Sequence, residues 1–97
     1  MMITLYRIDP QGATHYYSLH DRQGHLFSPH CFTVSWGRNL SLSREKTYQY
    51  DSQKDMDDGI RKLVLKKFRA GYRVLYSYLR PDEMEDLRPE LGRFAAR

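Results

Sequence analysis

Cys31-Phe32-Thr33-Val34-Ser35-Trp36-Gly37-Arg38 alternates from end to end, with Phe32, Val34 and Trp36 on one side of an extended chain and Thr33 and Ser35 on the other. That pattern is a strand with one apolar face. On its C-terminal side Arg44 to Tyr50 alternates in the same way and reads as a neighbouring strand. On its N-terminal side His15 to His20 is a strand carried by Tyr16, Tyr17 and Leu19, and Met1 to Ile8 another. Asp9-Pro10-Gln11-Gly12 separates these two as a turn, and Asp21 to Pro29 reads as a loop or irregular connection.

After Tyr50 the period changes from two to about 3.6. Met56, Ile60, Leu63, Val64 and Phe68 form one apolar helical stripe. Ser52 and Asp55 have the spacing of a capping box, and Asp57 and Asp58 suit the positive end of the helix dipole. Gly71 stands where a helix ends in a left-handed residue, behind Lys66, Lys67 and Arg69. Gly59 inside the helix is expected to admit a close neighbour from the sheet. Tyr72 to Leu79 returns to strand character, with Tyr72, Tyr76 and Tyr78 on one face. The fold class that results is α+β, an antiparallel sheet of about four to five strands packed on one amphipathic helix. Residues 1–80 read as the domain, and 81–97 as an acidic C-terminal tail with a short helix breaking near Pro89.

A chain of 97 residues is one domain's length. Cys31 is the only cysteine, so no disulfide forms within the chain, and a reducing compartment or indifference to redox is expected. The sequence shows neither a membrane span nor a signal-peptide core, and a cytoplasmic location is expected. The net charge of +4 is unevenly placed. Arg61, Lys62, Lys66, Lys67, Arg69, Arg73 and Arg80 follow one another without an acid, while acidic residues crowd both flanks. Such a block faces either solvent or a polyanion.

Lys62, Lys66, Arg69 and Arg73 form a basic stripe beside the apolar one if the helix continues past Gly71. Lys67 falls inside the apolar stripe, so a structural role, snorkelling or pairing with a carboxylate, is expected of it. Trp36 shares its parity with Phe32 and Val34, which makes it a core residue by pattern alone. Arg38 follows Gly37, which lets a ligand approach the backbone. Its planar fork suits a phosphate, or an ion pair with a sheet neighbour. His15, His20, His25 and His30 recur every five residues, a spacing of neither helix nor strand ligands, so no metal or other cofactor is expected. No catalytic constellation is visible, and His30 and Cys31 point to opposite strand faces.

Trp36-Gly37-Arg38 at the end of an alternating strand resembles the signature of the WGR domain. The resemblance extends to Tyr16-Tyr17 on the preceding strand, to a helix beginning about fifteen residues after the motif with Ile60 and Val64, and to Lys67 and Gly71-Tyr72 at its end. It spans roughly His15 to Tyr78. WGR domains occur in eukaryotic poly(ADP-ribose) polymerases and in bacterial proteins, some small and free-standing. The resemblance implies a non-catalytic module that clamps damaged DNA. It also implies a partly exposed Trp36 against sugar and base at a strand end, and Arg38 on DNA or neighbouring domains. One departure is visible: the family's glycine-containing turn after the motif is replaced by Asn39-Leu40-Ser41-Leu42-Ser43-Arg44, so a differently shaped loop is expected. The function expected is nucleic-acid binding, DNA rather than RNA, through Trp36, Gly37, Arg38, Lys62, Lys66, Arg69 and Arg73. The alternative is a protein–protein interaction module with tyrosine anchors and no nucleic acid.

Overall fold

The computed structural model describes residues 1–21, 29–39 and 44–95. The chain runs β1 (Met2–Ile8), β2 (Thr14–His20), β3 (Cys31–Arg38), β4 (Arg44–Gln49), α1 (Gln53–Arg69), β5 (Arg73–Tyr78) and α2 (Arg88–Arg93). The strands form one antiparallel sheet in the order β4-β3-β2-β1-β5. This is the α+β architecture that the alternation and the change of period indicate. The expected Asp21–Pro29 connection and the loop after the motif fall largely outside the described residues.

Register decides what the sheet shows to the helix. Leu5 pairs with Tyr17, Tyr17 with Trp36, and Trp36 with Arg44. One row away Ile3, Leu19, Val34 and Lys46 stand side by side, and beyond them Phe32 and Tyr48. Ile3, Leu5, Leu19, Phe32 and Val34 are fully buried against Met56, Ile60, Val64 and Phe68 of α1. The opposite face is built of hydroxyl pairs, Thr4 with Ser18 and Thr33 with Thr47, each 3.1 Å apart.

Both ends of α1 are capped as the sequence indicates. Ser52 Oγ accepts from the Asp55 N–H at 3.1 Å. At the other end Gly71 takes φ +96°, Gly71 N–H donates to Phe68 O and Tyr72 N–H to Lys67 O, each at 3.0 Å. That pair of bonds is a Schellman motif, and it stops the helix at Arg69. The proposed basic stripe therefore does not reach Arg73, which lies on β5 opposite Tyr6. Gly59 does admit a close neighbour. A Cβ there would stand 2.6 Å from Tyr50 Cζ, and Tyr50 is held by stacking on Phe32 at 5.9 Å. Gly59→Ala is expected to lower stability by about 1 kcal/mol in thermal melts, where an ordinary helix would gain about that much.

Two expectations need correction. Tyr72, Tyr76 and Tyr78 do not share a face, because the pairing of β1 with β5 slips between Val74 and Tyr76. The bulge turns Tyr76 and Tyr78 to the face away from the helix, and leaves Tyr72 on the Val74 side. Pro89 does not break a helix. It opens α2, where its missing N–H costs nothing. The acidic segment also joins the core. Met84, Leu87 and Leu91 are buried in the common core, and Phe94 stacks on Phe68 at 4.4 Å.

Candidate functional site

The apolar inner face of the sheet continues past the end of the helix, and there its chemistry changes. Trp36, Arg38, Arg44 and Lys46 have the same strand parity as the core residues, but α1 covers them only in part or not at all. Together with Leu63, Lys66 and Lys67 of α1, and with Tyr17 and Tyr72, they wall a cleft of about 690 Å³. Among the described residues five of its lining side chains are Arg or Lys, and no carboxylate lines it. Potentials of like sign add in such a concave, partly desolvated space, so the cleft is a focus for anions.

Aromatic rings hold two of these cations, Lys46 and Lys67. Trp36 stacks on Tyr17 with centroids 6.3 Å apart, which leaves the indole half-buried and part of it open to the cleft. Of the two readings of Trp36, the structure takes the partly exposed one. Lys67 Nζ sits 4.4 Å over the Tyr17 ring and 5.4 Å over Tyr72. Among the described residues no carboxylate pairs with the half-buried lysine, and it is a wall of the cleft. Its ammonium is held below the ordinary 10.5, first by burial and then by the charges of Lys66 and Arg7. Burial, followed by the neighbouring Tyr48 and Tyr72, pushes the Tyr17 hydroxyl up to about 12, so it stays a neutral donor.

The motif arginine is aimed by the turn between β1 and β2. Asp9 Oδ1 accepts from the N–H groups of Gln11 and Ala13 at 3.0 and 2.9 Å. Its other oxygen lies 2.9 Å from His15 Nε2 and 3.8 Å from the Arg38 guanidinium. Arg38 remains 62% exposed, so its fork is free for a second anion. Asn39 supplies the left-handed residue at the motif's exit, with φ 56°, and its Oδ1 accepts from Thr14 N–H at 3.3 Å. Asparagine tolerates that conformation.

The hydrogen bond with His15 holds the Asp9 carboxyl below its ordinary 3.8, with the turn N–H groups adding to it against desolvation. A carboxyl depressed in this way stabilises the fold at pH above 3.8 and loses that contribution as pH falls through its folded value. His15→Ala is expected to move the Asp9 titration, followed by carbon-13 NMR, up toward 3.8. An unmoved titration would assign the shift to the turn amides alone.

Of the residues singled out by the sequence, Trp36, Gly37, Arg38 and Lys66 line the cleft. Lys62 lines a neighbouring hollow, Arg69 is exposed at the end of α1, and Arg73 lies on β5. Sequence reasoning missed Tyr17, Arg44, Lys46, Lys67 and Tyr72 as wall residues. The signal for Arg44 and Lys46 was their parity, since β4 pairs them with Trp36 and Val34.

A five-stranded sheet on one helix, with a basic and aromatic cleft at its uncovered end, defines a small binding module. The WGR domain family model matches residues 1–77, and the chain belongs to that family. Searches of curated proteins and of solved structures found no match. Among the described residues no helix is long and apolar enough to cross a membrane.

Proposed function

We propose that the protein binds nucleic acid, DNA in the first place, through the cleft at Trp36-Gly37-Arg38. The observation that carries this reading is the company the motif keeps. Among the described residues five cations without a carboxylate surround a partly open tryptophan in one concavity. Phosphates satisfy the cations, Arg38 with a planar fork and Lys66 as a point charge. The open part of Trp36 takes a sugar or a base, a contact worth about 1–3 kcal/mol where a base stacks. Membership of the WGR family supports the same assignment.

Neutralising phosphates releases condensed counterions, so affinity must fall as salt rises. Fluorescence anisotropy with a labelled nicked duplex, a blunt duplex and a single strand, each at low and near-physiological salt, tests the reading. Micromolar or tighter binding that weakens with salt, and weakens about tenfold or more in folded Trp36→Ala, is the expected result. No binding at low salt would refute it.

A further inference from the structure

The cleft is not closed at its β4 side. A second hollow of about 290 Å³ shares Tyr48, Leu63 and Lys66 with it, and adds Tyr50, Gly59 and Lys62. A third of about 500 Å³ shares Tyr50, Gly59 and Lys62 with the second. The first two make one groove that follows the seam between β4 and α1 away from the motif, and Tyr50, packed on Gly59, divides it from the third. We propose that this groove is a track for a single strand of nucleic acid, an overhang continuing from the end held at Trp36. The proposal rests on the reading of the cleft as a nucleic-acid site.

Three features set the class of ligand. The second hollow is less than half the volume of the cleft, a size that suits one chain. Lys66 and Lys62 stand one helical turn apart, about 6 Å along the axis, a step comparable with successive phosphates of an extended strand. The groove also has a defined end. Asp51, Asp55 and Asp58 line the third hollow, and their carboxylates repel a phosphodiester backbone. The strand is therefore gripped from Lys66 to Lys62 and released there.

The floor of the track is already engaged. Tyr48 stacks on Phe32 at 5.2 Å and carries the Lys46 ammonium 4.8 Å over its ring, and Tyr50 stacks on the same Phe32. These tyrosines offer hydroxyls and ring edges instead of open platforms, so the track reads backbone and tolerates any base. Gly59 belongs to this arrangement. A side chain there would displace Tyr50 from the wall that the second and third hollows share.

The test compares a short blunt duplex with the same duplex carrying thymidine overhangs of increasing length at either end. Duplexes lengthened to equal phosphate number control for charge. Affinity relative to the blunt form is expected to rise over the first two or three nucleotides, to about tenfold, and then level off. Lys62→Ala should remove most of that gain and Lys62→Arg restore it. Lys54→Ala, which removes the same charge from outside the groove, should leave it intact. A gain no larger than that of the lengthened duplex, or one that survives Lys62→Ala, would overturn the track while blunt-duplex binding left the cleft assignment standing. If no nucleic acid binds in any form, both readings fall together.

Discussion

Arg38→Glu combined with Lys66→Glu is expected to weaken binding of a short DNA duplex by at least about a hundredfold at fixed moderate salt. Each side chain is a cleft cation whose contact with a phosphate is a charge-assisted hydrogen bond, worth about 1.5–3 kcal/mol. Two such losses come to about 3 kcal/mol or more, and a factor of ten in affinity corresponds to about 1.4 kcal/mol. Reversal adds repulsion to that loss. The salt dependence should change with it, the slope of log affinity against log salt becoming shallower by about two. Stability is expected to hold. Arg38 is 62% exposed, its one ion pair among the described residues being the 3.8 Å contact to Asp9, and Lys66 is exposed on α1. Anisotropy at several salt concentrations, with thermal melts beside it, separates the two effects. A loss of less than a few fold in a folded double variant would place the binding surface elsewhere.

The second large effect concerns stability. Leu87 is fully buried although it lies in the acidic segment beyond residues 1–77, where the family match ends. Leu87→Ala is expected to cost about 3 kcal/mol, the transfer of its methyl groups plus a cavity that a small core closes poorly. In a domain of this size that lowers the melting temperature by roughly 10–20 °C. Ending the chain at Arg80 removes Met84, Leu87 and Leu91 together, and strips Phe94 from Phe68. Each buried apolar side chain contributes about 1.5–3 kcal/mol against a total stability of about 5–15. The shortened chain is therefore expected to show no cooperative unfolding transition by circular dichroism. Cooperative melting near the parent temperature would make the segment an appendage.

Local rules were enough to place every strand, the helix and both of its caps. Strand alternation, the 3.6-residue stripe, Ser52 and Gly71 each express a preference that operates within a few residues. The motif tripeptide and its surroundings were legible for the same reason. The β5 bulge was not, because a slipped register depends on which hydrogen bonds β1 has to offer. The burial of Leu87 was hidden as well, since Asp82, Glu83, Glu85 and Asp86 dominate the reading of that stretch. So was the place of Lys67, a charge at a core angle whose rings come from β2 and from the approach to β5.

The site itself divides along the same line. By itself the sequence determined that Trp36 shares a strand face with Phe32 and Val34, and that Arg44 to Tyr50 alternates on a further strand. Only the tertiary structure decided which members of that face are covered. Helix α1 stops at Arg69 and lies over the rows of Leu19, Val34 and Phe32, so those side chains became core. Trp36, Arg38, Arg44 and Lys46, on the same face but only partly covered or uncovered, became walls of a cleft. Parity is local, whereas coverage depends on where a second element ends in space, and no pattern along a single strand carries that distance.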